Sequence, residues 1–221
     1  MRRATKILVI IVFLSLTIYI FNLLDRFVNE ILSKHNVLWK IRIINNISID
    51  MYGAIIPVII SIFLAFYLVY ARKFPFKCYL ILLLLTYLFA LLLSRGTSTA
   101  IIIYYKALAL TIGFICVSVT INLIQFLKFL KSNVLNLGKT AYFNALLMSY
   151  SFSSLSSLFV DLTYLPLTLP FTSDAYIGGS GLADGIMISG LTSLICVSMV
   201  LLVIMLIKEI TEAILVVLSR L

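Results

Sequence analysis

The stretch that decides the fold is residues 141–207, AYFNALLMSYSFSSLSSLFVDLTYLPLTLPFTSDAYIGGSGLADGIMISGLTSLICVSMVLLVIMLI, which contain no lysine or arginine. Their only charged residues are Asp161, Asp174 and Asp184. About 20 consecutive apolar residues are enough for a helix to cross a bilayer. The stretch is long enough for two such helices and a connection, so we predict a membrane hairpin with arms at 141–171 and 175–207.

The rest of the chain has the same character. Of its 221 residues, 63% are hydrophobic and only 11% are charged, whereas a soluble domain carries about 25% charged residues. Such a sequence has too little polar surface to coat a water-soluble globule. It also excludes a disordered chain and a disulfide scaffold. We therefore predict a single integral membrane domain over residues 1–221.

Four more apolar runs precede the hairpin, at 7–24, 51–70, 78–93 and 100–120. Amphipathic segments at 25–35, at 121–139 and after Lys208 predict helices that lie on the membrane surface. Residues 37–50 predict an extended segment or a hairpin. The predicted fold class is thus all-α, a polytopic membrane helix bundle of about six transmembrane helices with interfacial amphipathic helices.

The basic residues predict the orientation of these spans. The chain has 17 lysines and arginines against 8 acidic residues, a net charge of +9. With six spans, eleven basic residues fall on the side of the two termini and five on the other, with Lys106 inside a span. The positive-inside rule then places both termini in the cytoplasm of a multi-pass cell-membrane protein. Basic loops of this kind suit contacts with membrane lipids, and no separate basic stripe with aromatic residues indicates a nucleic-acid partner.

Asp161 and Asp184 are the charges that most need an explanation. An ionised aspartate in mid-membrane costs about 2.5–3.5 kcal/mol on insertion scales. With a turn near 170–174, each lies about eleven residues from the turn, so both fall at one depth, up to ~17 Å from it. Two carboxyl groups that face each other share one proton, which suits general acid–base hydrolysis. We expect Asp161 and Asp184 to form a catalytic pair.

The residues around the two acids fit this expectation. Tyr150, Ser154 and Ser157 share one helical face with Asp161, which indicates a hydrated or protein-facing surface. Glycines in the run before Asp184 allow another backbone to approach closely. We expect them to admit a substrate backbone; they include Gly178, Gly179 and Gly181.

Structural explanations are also open for these features. Serine-rich and glycine-rich helix faces are common packing surfaces in membranes. The two acids could pair with Lys106 or with loop amides, or could be helix-end residues if 162–183 lie outside the membrane. A single histidine, His35, excludes a zinc site built from several histidines, and we expect no metal and no cofactor.

Three short segments resemble a known family. Residues 50–61 (DMYGAIIPVIIS), Asp161 with Leu162, and residues 177–190 (IGGSGLADGIMISG) resemble the signatures of a prokaryotic family of multi-pass membrane proteins, domain of unknown function 1614. The pattern is Gly-Ala-x-x-Pro at the start of one span, Asp-Leu near the end of a later one, and Gly-Gly-x-Gly-x-x-Asp-Gly after it. The resemblance implies a multi-pass membrane protein but no activity.

A second resemblance implies an activity. Residues 181–184 (GLAD) are similar to the Gly-x-Gly-Asp motif of intramembrane aspartyl proteases such as presenilin, signal peptide peptidase and prepilin peptidase, with Ala183 in place of the second glycine. The resemblance implies an intramembrane aspartyl peptidase that acts on a membrane protein or peptide. Asp161 and Asp184 would be catalytic, with Gly53 and Pro57 lining the site.

The same acids fit two other classes of protein. In a small ion- or proton-coupled transporter they would take up a proton or a cation, with Lys106 as a counter-charge and the glycine-rich run as a break in a helix. In a non-catalytic membrane scaffold they would lie in an exposed loop. Close carboxyl groups favour hydrolysis, and acids far apart around a polar cavity favour transport.

Overall fold

The computed structural model describes residues 40–44, 47–72, 74–96, 101–130, 137–168, 175–178 and 184–218, together with scattered helical positions between 19 and 34. Most of these residues are helical. The predicted first span, 7–24, falls almost entirely outside them. The helices are α1 (Met51–Ala71), α2 (Phe76–Leu92), α3 (Tyr105–Leu130), α4 (Leu137–Thr168) and α5 (Gly185–Leu218).

Among the described residues, three stretches of helix are long and apolar enough to cross a membrane: Met51–Ala71, Phe143–Pro166 and Gly185–Val203. Shorter apolar helices cover Phe76–Leu92 and Tyr105–Val117. The stretch Phe143–Pro166 is the most buried of the three, so α4 is the central helix. The part of the chain that the structure describes is therefore mostly helical, with three helices that could span a membrane.

Buried serines explain how closely the helices surround α4. The Ser153 hydroxyl donates to the Ser189 carbonyl of α5 (2.8 Å), and the Ser151 hydroxyl donates to the Ser61 carbonyl of α1 (3.0 Å). These side chains are completely buried, as is Ser193, whose hydroxyl donates to the Ser149 carbonyl (2.9 Å). Small side chains let helix backbones approach, and their hydroxyls find acceptors across the interface. The serine-rich face of α4 is therefore a packing surface.

The same contacts fix the directions of the helices. α1 and α4 run antiparallel, because Arg72 at the end of α1 lies beside Phe143 near the start of α4. α4 and α5 also run antiparallel, since Ser149 meets Ser193. The end of the bundle at which α1 and α5 begin and α4 ends is called the sheet end below, and the opposite end is called the Arg72 end.

A small sheet lies at the sheet end. Strands β1 (Lys40–Ile44) and β2 (Ile47–Asp50) pair antiparallel, and β5 (Ala175–Ile177) lies parallel to β2. The hairpin predicted within 37–50 is confirmed. A second hairpin joins β3 (Ser94–Gly96) to β4 (Ile101–Ile103). The mostly helical fold predicted from the sequence is therefore joined at this end by short strands, of which β1, β2 and β4 are rich in isoleucine.

Two helix boundaries also differ from the prediction. α3 begins at Tyr105 rather than near residue 100, because residues 101–103 form β4. The predicted surface helix 121–139 is not a separate element in the described residues: α3 continues to Leu130, and α4 begins at Leu137. α5 likewise continues through Lys208 to Leu218. A helix satisfies its backbone hydrogen bonds internally, so the change from apolar to amphipathic sequence requires no break.

Candidate functional site

The structure brings the two predicted acids together at the sheet end. Asp161 lies near the end of α4, and Asp184 directly precedes α5. Both side chains are half-buried. Their carboxyl groups are close enough to repel each other electrostatically. Two helices that are neighbours in the bundle thus present a pair of acids to one region.

Asp184 reaches this region by a different route from the one predicted. The prediction places it about eleven residues from the turn, inside a helical arm that starts at 175, but residues 175–177 form β5 and α5 begins only at Gly185. The Asp184 side chain caps the helix, with Oδ1 accepting from the Ile186 backbone N–H (3.0 Å). Asp184 therefore lies at a helix end and accepts a hydrogen bond from a backbone amide. Both features belong to the structural explanations that the sequence left open for this acid. A carboxylate has two oxygens and can cap a helix and still face another group.

Gly178 holds the start of α1 against the strand that leads to Asp184. Its φ of +71° lies in the left-handed region that favours glycine. A Cβ at this position would lie 2.7 Å from the Ala54 Cβ and 2.9 Å from the Gly53 carbonyl carbon. The close approach predicted for a substrate is thus made here by the chain's own α1. A role of Gly53 and Gly178 toward a substrate remains a prediction.

Asp50 is a third acid at this end, and the sequence reasoning missed its role. It is almost completely buried, and its Oδ1 accepts hydrogen bonds from the backbone N–H groups of Tyr52 (2.9 Å) and Gly53 (2.7 Å). These bonds cap the π-helical turn Met51–Ile55 with which α1 begins. An aspartate immediately before a predicted span is a helix-start signal that could have found it.

The β3–β4 hairpin contacts both acid-bearing elements, which the sequence reasoning also missed. A Cβ on Gly96 would lie 2.8 Å from the Tyr164 ring, one turn of α4 after Asp161. Ile103 approaches Gly185, next to Asp184, with its Cδ1 3.9 Å from the ideal Cβ position. The triple isoleucine 101–103 after a glycine- and serine-containing turn was the available signal.

Apolar packing lies directly beside the acids. Ala54, Ile177 and Ile186 are buried and form one cluster, against which Leu158 and Leu165 pack. Ile186 is two residues from Asp184, and Leu158 and Leu165 flank Asp161 on α4. A wall of this kind keeps water away from one side of the carboxyl pair, and charge interactions are stronger where water is excluded.

The polar stripe of Tyr150, Ser154 and Ser157, on the same helical face of α4 as Asp161, faces α5. The Ser157 hydroxyl is hydrogen bonded to the Ser189 hydroxyl (2.8 Å). The Tyr150 hydroxyl donates to the Met187 sulfur (3.8 Å). A Cβ on Gly190 would lie 2.3 Å from Ser154 Oγ. The stripe is protein-facing, one of the two surfaces that its pattern predicted.

The other predicted positions say less about the geometry of the site. Gly179 and Gly181 lie outside the described residues. Pro57 is buried in the first turn of the α-helical part of α1. Lys106 is the second residue of α3, with Nζ 5.9 Å from the centre of the Tyr105 ring.

The site therefore consists of two interacting carboxyl groups at a helix end and a helix start, with an apolar wall beside them and tight backbone contacts around them. Within the part of the chain that the structure describes, no group of three or more histidine, cysteine or acidic residues is placed to hold a metal ion. Two carboxyl groups that interact in this way are candidates for general acid–base chemistry. Comparison with protein-family models, with curated proteins and with solved structures found no match to the chain.

Proposed function

We propose that the chain is a membrane hydrolase in which Asp161 and Asp184 cleave peptide bonds by general acid–base catalysis. The observation that carries this proposal is that the two carboxyl groups, at the end of one helix and the start of its neighbour, are close enough to repel each other electrostatically. Repulsion between like charges favours a state in which one acid is protonated, so one acid can activate a water while the other protonates or polarises the scissile carbonyl. The similarity of residues 181–184 to the motif of intramembrane aspartyl proteases agrees with this chemistry.

The position of the pair suits a substrate that is itself a membrane segment. The acids lie at the end of the bundle, beside the apolar cluster of Ala54, Ile177 and Ile186. A peptide bond can reach this point if a membrane helix unwinds at its end, since an extended backbone exposes its carbonyl. The proposed substrates are therefore membrane proteins or peptides cut near one membrane surface.

We further propose six spans with both termini in the cytoplasm. The outer faces of α1 and α2 support this, because they expose large apolar side chains that a bilayer would cover, among them Phe63, Ile81 and Leu92. The antiparallel course of α1, α4 and α5 and the basic residues at the Arg72 end agree with this orientation. A cysteine introduced at Arg95, in a cysteine-free background, should then react with an impermeant maleimide added outside intact cells.

The decisive experiment is cleavage of tagged transmembrane peptides by the purified full-length chain in proteoliposomes. Asp161→Asn and Asp184→Asn should each lower the rate by about 10²–10⁴-fold, the usual contribution of a general acid or base. The rate should pass through a maximum with pH, because the pair works only with one group ionised and one protonated.

A matched control is Glu30→Gln, which removes one negative charge at an exposed position that pairs with Lys34. This variant should cleave like the unmodified chain. Cleavage that survives both aspartate substitutions, or the absence of cleavage from a broad panel of membrane peptides, would refute the hydrolase proposal.

Proton-coupled transport is the second candidate, and the buried hydroxyl stripe favours it. Ser157 and Ser189 continue inward from the acid pair along the α4–α5 interface. Acids at the mouth of a polar stripe are a common arrangement in proton-coupled carriers. Proton flux into dye-loaded proteoliposomes that disappears in Asp161→Asn, together with no cleavage in any condition, would replace hydrolysis by transport.

A further inference from the structure

The Arg72 end holds a cation whose hydrogen bonding is incomplete. The Arg72 guanidinium lies over two aromatic rings, 5.4 Å from the centre of Tyr67 and 5.2 Å from that of Phe143. Its Nε is buried and has no hydrogen-bond partner. No carboxylate of the described residues forms an ion pair with it. Because a buried charged donor without an acceptor is costly, this N–H points to an acceptor supplied from outside the chain.

A second polar atom at this end is also without a partner. Asn144 follows Phe143 on α4, and its Oδ1 is buried and accepts no hydrogen bond. Arg72 and Asn144 thus present opposite hydrogen-bonding needs. Arg72 requires an acceptor, preferably an anion, and Asn144 as placed requires a donor. Because the ring of Phe143, the residue before Asn144, lies against the guanidinium, we infer that a single ligand with an anionic oxygen and a hydroxyl group serves both.

The surroundings indicate that the ligand comes from the membrane. Phe66 and Tyr70 stack with their ring centres 5.7 Å apart, and both are strongly exposed. Exposed aromatic rings at a helix end are typical of the level of the lipid headgroups. The neighbouring Lys77 is exposed, and residues 51–160 contain no acidic residue to compete for the cations.

We propose that Arg72 and Asn144 bind the headgroup of an anionic phospholipid that carries a hydroxyl group, for which phosphatidylglycerol is the simplest probe. The guanidinium donates to the phosphate oxygens, and its planar fork suits this geometry better than a lysine would. The rings of Tyr67 and Phe143 hold the guanidinium plane by cation–π contact. A headgroup hydroxyl donates to Asn144 Oδ1. This proposal does not depend on the hydrolase proposal.

The test is lipid binding to the purified full-length chain in neutral detergent, measured by native mass spectrometry and by the midpoint of thermal unfolding. Phosphatidylglycerol should bind at least about tenfold more tightly than phosphatidylcholine, the effect of one charge-assisted hydrogen bond. Glycerol phosphate, which has the same polar groups but no acyl chains, should bind far more weakly.

Three variants separate a specific site from general attraction to a basic surface. Arg72→Gln should abolish the preference for phosphatidylglycerol, and Arg72→Lys, which keeps the charge, should lose most of it. Lys77→Gln removes a charge of the same sign from an exposed neighbour and should retain the preference. Asn144→Leu should reduce binding of phosphatidylglycerol more than that of phosphatidic acid, whose headgroup lacks the glycerol hydroxyls.

The proposal is overturned if Arg72→Gln and Lys77→Gln weaken binding equally, since that result describes diffuse attraction. It is overturned as a lipid site if glycerol phosphate binds as tightly as phosphatidylglycerol. If Arg72→Gln does not fold, Arg72→Lys decides alone: an unchanged lipid preference in that variant refutes the role of the guanidinium.

Discussion

Replacing Gly178 by alanine should destabilise the sheet end. The residue has a φ of +71°, and a left-handed backbone costs an L-residue about 1–2 kcal/mol. The new Cβ would lie 2.7 Å from the Ala54 Cβ and 2.8 Å from the Ala54 backbone nitrogen, about 1 Å inside ordinary contact. Overpacking of this kind costs about 1–3 kcal/mol. The two effects together lower the free energy of unfolding by about 2–5 kcal/mol.

Gly185→Ala is the matched control, with the same change seven residues further along the chain. Gly185 lies in the first turn of α5, and its new Cβ would meet only the Ile103 Cδ1, at an ordinary 3.9 Å. Alanine in a helix is about 0.5–1 kcal/mol more favourable than glycine, so this variant should be as stable as the parent or more stable. Unfolding by SDS in mixed micelles, followed by circular dichroism, measures both. If Gly178→Ala unfolds within about 0.5 kcal/mol of Gly185→Ala, Gly178 does not make the contact with α1 described above.

Two further substitutions test other contacts in the same unfolding assay. Asp50→Ala should lower the free energy of unfolding by about 0.5–2 kcal/mol, because the N–H groups of Tyr52 and Gly53 lose their acceptor. Asp50→Asn keeps an acceptor oxygen and should lower it less. Equal losses of stability in the two variants would argue against capping. Gly190→Ala should cost about 1–3 kcal/mol because its Cβ would meet Ser154 Oγ at 2.3 Å, and Ser154→Ala should restore part of the loss; strictly additive effects would contradict that contact.

Much of the helical framework could be predicted from hydropathy alone. The runs at 51–70 and 78–93 correspond to α1 and α2 within a few residues, because a span needs a fixed length of apolar sequence and its ends are marked by polar residues. Asp161 and Asp184 could be selected for the same reason: an acid is rare in such runs. That they lie near each other was a geometric expectation, and the electrostatic repulsion between them agrees with it.

The connection between the two acids could not be predicted in the same way. Counting residues from a turn assumed that helix begins at residue 175, whereas Ala175–Ile177 pair with β2. The partner strand lies more than 120 residues earlier in the chain, and pairing over such a distance leaves no periodic trace in a three-residue strand. The contact of Gly178 with Ala54 is likewise a consequence of this pairing.

The start of α5 at Gly185, rather than at residue 175, is also what makes a pair of acids tolerable in so apolar a chain. Had helix continued from residue 175, Asp184 would have lain inside the bilayer, where an ionised acid costs about 2.5–3.5 kcal/mol. Starting α5 at Gly185 instead places Asp184 at a helix N-terminus, where free backbone N–H groups and the helix dipole favour a negative charge. Before this helix start, β5 pairs with β2, and Gly178 packs against the start of α1. The start of α5 at Gly185 therefore leaves Asp184 at a helix end, near Asp161.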